Sequence, residues 1–359
     1  VTPTTVQSIA HRVLDIELDQ PFTIAGGTQQ SARIVLVEVT LADGTVGLGE
    51  AAPLAAYNGE TVEQVVSALD HGRNALVGID VARWRRAALT AKETLGGCGA
   101  ARCAVETALL DALCRHRDCS LYDWFGARDM PSLEIDVTIP IGSVENAERA
   151  ARSWAERGFE VFKIKVGAPG DLERVLAVQR AVPGARLILD ANAGLDAERA
   201  MRLVHDVRAQ GGVITLFEQP VPRGDWVGLA QVMSTGTRVA LDESVCTAAD
   251  ALEAVGRLGS GIVLNIKLMK AGIIEALDVA AVARASGAAL MIGGMVESSL
   301  AMTTSACFAA GLGGFEFADL DTHLFLQNSP FEGGLRMEGP RLDVSAVGLG
   351  HGVSLARRS

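Results

Sequence analysis

Positive charge is what this sequence is short of. Against 43 aspartates and glutamates stand 32 lysines and arginines, a net charge of -11 over 359 residues. A nucleic-acid-binding surface needs the opposite balance, so nucleic acid is not an expected partner. The six cysteines, at 98, 103, 114, 119, 246 and 307, form no CxxC pair and no zinc spacing, and read as reduced thiols. His11, His71, His116, His205, His323 and His351 form no motif with metal-site spacing. Neither Cys246 nor Cys307 has a nearby histidine in sequence for nucleophilic work. Residues 1–7 are polar with no apolar run behind them, which makes a cytoplasmic protein the expectation. The most apolar stretch, 288–312, is broken by Gly293, Gly294 and Glu297, so no membrane partner is expected. What remains, 49% hydrophobic and 21% charged residues, is enough to bury a large core.

The first third reads as an antiparallel sheet followed by helices. Residues 10–18, 34–41 and 46–50 are strand-like, with Ala42-Asp43-Gly44-Thr45 as a hairpin turn. Residues 22–30 and 51–60 read as loops, and 61–72, 80–92 and 100–115 have helical periodicity. Residues 128–132 read as a linker. From 133 the pattern alternates, with strands predicted at 133–141, 160–166, 186–191, 215–219, 238–244, 262–268, 288–293 and 315–320. Helical stretches such as 144–157, 171–182 and 197–209 separate them. Eight strands in this alternation predict a closed parallel barrel. A doubly wound sheet is the alternative, but its GxGxxG fingerprint is missing. The turn-rich tail from His323 is expected to fold back on the first part.

Charge enters the barrel pattern at the strand ends, where barrels of this kind carry their chemistry. The strand Phe162-Lys163-Ile164-Lys165-Val166 puts two lysines on one face, because strand side chains alternate. Burial and mutual repulsion should lower the pKa of at least one, and the pair needs a compensating anion. The next three strands end in Asp190, Glu218 and Asp242, and the sixth in Asn265-Ile266-Lys267. A single strand-end acid is commonly a helix cap, but three in succession between lysine-bearing strands suit a hard divalent cation such as Mg²⁺. Asn192 and Glu243 are placed to support these ligands from behind. Lys165 and Lys267 lie on strands two and six of a ring of eight, so each would meet one face of a substrate held between them.

These residues, Lys163-Ile-Lys165, Asp190-Ala-Asn192, Glu218-Gln-Pro, Asp242-Glu-Ser and Asn265-Ile-Lys267, resemble the enolase superfamily, and lysines on strands two and six its muconate-lactonizing subgroup. The resemblance implies an α/β fold: a modified TIM barrel, (β/α)₇β, with an N-terminal α+β capping domain. The expected domains are 1–127 for the cap, 128–322 for the barrel and 323–359 for a segment returning to the cap. Asp319-Leu-Asp321 and Gly293-Gly-Met-Val-Glu297-Ser298-Ser look like dipeptide epimerases, in which the Asp-x-Asp pair binds the α-ammonium of the dipeptide. Such an isomerase would use Mg²⁺ on Asp190, Glu218 and Asp242 and exchange the α-proton through Lys165 and Lys267. Lys163, Glu297, Ser298, Asp319 and Asp321 would contact substrate. Glutamate-selective members carry an arginine after the first strand, where this chain reads Phe22-Thr-Ile-Ala-Gly-Gly-Thr28. Ile24, Leu54 and Tyr57 instead predict an apolar rim and a hydrophobic second residue. The expected partners are a dipeptide and, in a homo-oligomer, other copies of the chain. Three alternatives stay open: an N-acylamino-acid racemase, o-succinylbenzoate synthase or cycloisomerase on the same fold; a Schiff-base aldolase; and a non-catalytic binding barrel.

Overall fold

The computed structural model describes residues 2–128 and 131–356. Strands β1 (Val6–Ile24), β2 (Gly27–Leu41) and β3 (Val46–Ala51) form an antiparallel sheet with β2 in the middle. Ile34 to Val37 are all fully buried, as in a central strand with both faces covered. Helices Val62–Leu76, Trp84–Thr94 and Gly99–His116 follow. The last of these lies directly on β3: a Cβ at Gly49 would sit 1.9 Å from the Ala104 carbonyl oxygen. Glycine on the strand and alanine on the helix are what allow that approach.

Residues 22–30 are not the expected loop. The hairpin continues through them, pairing Phe22 with Gln29, Thr23 with Thr28 and Ile24 with Gly27, and the Thr23 and Thr28 hydroxyls meet at 2.9 Å. The two glycines mark only the tip of the turn. The alternation of Phe22 and Ile24 with Thr23 was a strand signal that they obscured.

The second sheet has eight parallel strands in sequence order: β5 (Val137–Ile139), β6 (Val161–Lys165), β7 (Arg186–Asp190), β8 (Ile214–Glu218), β9 (Val239–Leu241), β10 (Val263–Ile266), β11 (Ala289–Gly293) and β12 (Phe315–Asp319). The seven intervals between them each carry a helix. After β12 comes only a short 3₁₀ turn, Thr322–Phe325, which gives the (β/α)₇β form. The Asp136 N–H donates to the Ala318 carbonyl at 3.0 Å and joins the first strand region to the last. The single strand expected at 133–141 is divided. β4 (Ser132–Glu134) pairs with the tail, and Ile135 donates its N–H to Pro340 O before β5 begins. Of the predicted linker, positions 129 and 130 lie outside the described residues.

The tail holds β13 (Phe331–Gly333), β14 (Arg336–Glu338), β15 (Arg341–Asp343) and β16 (Val353–Leu355). β15 adds to β4 beneath the barrel, while Gly350 bonds to Cys119 and Leu121 and His351 reaches Leu48 of the first sheet. There Asp111, fully buried, accepts from Leu48 N–H at 2.9 Å, His351 N–H at 2.9 Å and Arg115 Nε at 2.8 Å. His351 Nε2 lies 3.0 Å from the Leu48 carbonyl, while Nδ1 accepts from Val353 N–H. One carboxylate thus ties strand, helix and tail together. Asp111→Ala should cost about 3–5 kcal/mol, because it removes the counter-charge of Arg115, which keeps only the Val353 carbonyl, and leaves two buried N–H groups unpaired. A urea titration showing a loss below about 1 kcal/mol would refute that role. Among the described residues, no helix is long and apolar enough to cross a membrane.

Candidate active site

The C-terminal ends of the barrel strands bring the expected residues into one buried network. Register sets the pattern: Lys165 pairs with Asp190, Asp190 with Glu218, and Glu218 with Ala240, two residues before Asp242. Asp190, Glu218 and Asp242 are fully buried, and Lys163, Lys165 and Lys267 nearly so. Lys163 Nζ lies 3.0 Å from Asp190, 2.9 Å from Glu218 and 2.6 Å from Asp319. Lys165 Nζ donates to Asp190 at 2.6 Å and to Asn192 Oδ1 at 3.1 Å, and Asn192 in turn donates to Glu243 at 3.3 Å. Lys267 Nζ lies 2.8 Å from Asp242. A Cβ at Gly293 would stand 3.1 Å from Lys267 Cε and 2.9 Å from Asn265 Oδ1, so glycine there leaves the lysine its place. Asn192, Ala193 and Gln219, just past β7 and β8, adopt positive φ, backbone strain of the kind that gathers at functional sites.

The electrostatics differ from the expectation of a lowered lysine pKa. Burial does lower Lys163 and Lys267, but Asp190, Asp319 and Glu218 around the first, and Asp242 beside the second, outweigh it and raise both. The same pairing holds Asp190 and Asp242 below the carboxylate range against the upward push of burial. Glu218 is pushed up to about 7 by burial and the neighbouring Asp190, and Glu243 to about 8 by burial and Asp242. These are the charges of the chain alone. A cation on the carboxylates would reverse the local balance.

The residues fit such a cation. Glu218 Oε2 and Asp242 Oδ2 are buried without a hydrogen-bond partner, each facing only an ammonium, and Asp190 completes an oxygen-only donor set on adjacent strands. The other oxygens are already committed. Asn265 donates to Glu218 Oε1 at 2.9 Å, and Tyr57 and Lys270 donate to Asp242 Oδ1 at 3.2 and 2.9 Å.

Lys270 was not foreseen. Its Nζ also donates to the carbonyls of Asp242, Val245 and Asn265 at 3.0, 2.8 and 2.7 Å, so it fixes the Asp242 turn. Its spacing of three from Lys267 was the available signal. Asp136 and Glu50 were also missed. Glu50 accepts from Ser298 N–H at 2.8 Å and from the Ser298 hydroxyl, which also caps the helix Ser299–Leu312. Ser298, expected to touch substrate, is fully buried with its polar groups spent on that bond. Glu297 accepts from Met295 N–H at 2.7 Å, and burial, with Glu50 nearby, pushes it up to about 8. Asp321 accepts from Thr138 N–H at 2.6 Å.

Lys165, Lys267 and Asp319 line one cavity of about 30 Å³, roofed by Phe22 and Ile24 of the hairpin with Leu54 and Tyr57. The Tyr57 ring centre is 5.3 Å from Lys267 Nζ. Such a volume holds a water or two, so a larger ligand requires the roof to move.

Two family models cover most of the chain. One described as the mandelate racemase/muconate lactonizing enzyme N-terminal domain matches residues 8–126, and one described as enolase C-terminal domain-like matches 145–359. An aromatic dipeptide epimerase from Herpetosiphon aurantiacus is 46% identical, over 99% of this chain and 100% of its own. An L-Ala-D/L-Glu epimerase from Thermotoga maritima is 40% identical, over 91% of this chain and 95% of its own. The dipeptide epimerase of Enterococcus faecalis, solved with Mg and the dipeptide L-Leu-L-Tyr, matches with a TM-score of 0.92 at 32% identity, covering 98% of this chain and 99% of that one. Sequence, capping sheet and barrel agree over nearly the full length: the chain belongs to the mandelate racemase/muconate lactonizing enzyme family of the enolase superfamily.

Proposed function

We propose that this protein is an isomerase, a dipeptide epimerase that inverts the α-carbon of the C-terminal residue by 1,1-proton transfer. The observation that carries the reading is the placement of Lys165 and Lys267, four strands apart in the barrel, on one small cavity with Asp319. Relatives named as dipeptide epimerases, matched over nearly their full length, support it. Asp190, Glu218 and Asp242 would hold Mg²⁺, which when bound stabilises the second negative charge on the substrate carboxylate. One lysine removes the α-proton from its face and the other returns a proton from the opposite face. Asp319, with Asp321, holds the far ammonium and sets the register. Phe22, Ile24 and Leu54 keep water from the exchanging proton. A dipeptide library screened for α-deuterium uptake in D₂O tests the proposal, and no exchange with any dipeptide in the presence of Mg²⁺ would defeat it.

The second residue of the preferred dipeptide is hydrophobic. Among the described residues lining the cavity, the cations are Lys165 and Lys267, both committed at the α-carbon, and the roof is apolar. A glutamate side chain would lose water there without a partner. Its kcat/KM should fall below that of a Leu or aromatic residue by roughly 10–10²-fold, the ~1–3 kcal/mol of an unpaired buried polar group. If Ala-Glu proved the best substrate, a basic group would have to enter from elsewhere.

A further inference from the structure

One buried acid has no part in the steps above. Asp136 is 2% exposed, and neither carboxylate oxygen has a hydrogen-bond partner. It lies one residue before β5, so it shares the interior face of Thr138, one layer nearer the N-terminal mouth of the barrel. One oxygen each from Asp136, Asp319 and Asp321 lie within 4.8 Å of one another. Lys163 cannot neutralise all three, since it carries one charge, donates its hydrogen bond to Asp319 and also faces Glu218 and Asp190 at 2.9 and 3.0 Å. Asp321 gives one oxygen to Thr138 N–H and has no partner for the other. Burial, with Asp319 beside it, pushes the Asp136 carboxyl well above its usual range, and its two unpartnered oxygens leave the ionised form without a hydrogen bond to stabilise it. Carboxylate oxygens gathered that closely can converge on one N⁺–H-bearing group.

We propose that Asp136 is a specificity-determining positioning residue that acts through Asp319 and Asp321 to favour a free substrate ammonium over an N-acylated, neutral end. The inference rests on the dipeptide-epimerase reading. An arriving ammonium stabilises the ionised form of Asp136, and the added negative charge strengthens its hold. The displaced proton leaves through the cavity of about 490 Å³ that Asp136 borders at the N-terminal mouth, away from the substrate. A neutral amide brings no charge, so the acid keeps its proton and nothing is gained.

Asp136→Asn keeps the shape and fixes the neutral state. For a hydrophobic dipeptide with a free amine, KM should rise about tenfold or more with kcat within about threefold, while the inhibition constant of its N-acetyl form is unchanged. Asp136→Glu should restore much of the discrimination. A purely structural role would instead lower kcat and weaken both ligands together, which overturns the proposal, as does an unchanged ratio. If Asp136→Asn does not fold, Asp136→Ser is measured against the same two outcomes. Asp319→Asn separates the two levels. If it too leaves free-amine and N-acetyl ligands undistinguished from wild type, the ammonium reading itself fails; if it alone collapses the discrimination, only the role of Asp136 does.

Discussion

Lys267→Ala should abolish epimerisation while leaving α-proton exchange with solvent deuterium for one epimer, and Lys165→Ala should show the mirrored pattern. Each lysine comes from its own side of the barrel, and in the proposed mechanism each meets one face of the α-carbon and serves one stereoisomer. Inversion needs both, because a proton removed on one face is delivered on the other. Loss of a positioned acid/base group costs about 10²–10⁴-fold, well above what an altered substrate fit would give. Lys163→Ala should differ in kind. Its ammonium bridges Asp190, Glu218 and Asp319, so its loss should weaken both directions together. The measurement is deuterium incorporation from each epimer by NMR, alongside the rate of interconversion. Near wild-type interconversion in either single lysine variant would rule out the two-base mechanism and move a one-way elimination ahead.

The parts of this site that were legible in the sequence are those made by local pattern. Apolar strands ending in charge announced Lys165, Asp190, Glu218, Asp242 and Lys267, because strand period and barrel position together decide where such side chains point. What remained hidden depends on partners far away in the chain. Asp136 looked like one polar residue in a strand; its meaning comes from Asp319 and Asp321, more than 180 positions on. Lys270 acquires its role from the Asp242 turn and Glu50 from Ser298, 248 residues away. Strand 133–141 was over-extended for the same reason, since nothing local shows that the tail takes Ser132–Glu134 as a pairing partner. At 22–30 the reason is local: the glycines at the tip mask the alternation of Phe22, Thr23 and Ile24 that extends the hairpin.

Glu218→Gln should abolish catalysis and leave the fold intact. Glu218 is the middle of the three carboxylates, flanked in register by Asp190 on one side and by the strand leading to Asp242 on the other. Its Oε1 accepts from Asn265, and its Oε2 faces the Lys163 ammonium at 2.9 Å. Glutamine keeps the length and the Asn265 contact but removes the charge that a divalent cation requires. Lys163 keeps Asp190 and Asp319, so the ammonium is not orphaned and the urea midpoint should move little. Calorimetric Mg²⁺ affinity should fall by at least about 10²-fold, beyond the 10–100-fold typical of residues that only support a ligand. Wild-type protein should lose activity in excess EDTA and regain it when Mg²⁺ is restored. Both readouts matter. A glutamine variant inactive yet still binding Mg²⁺ tightly would move Glu218 from ligand to substrate contact, whereas full wild-type activity in EDTA would remove the metal and leave a substrate carboxylate to the ammoniums of Lys163, Lys165 and Lys267.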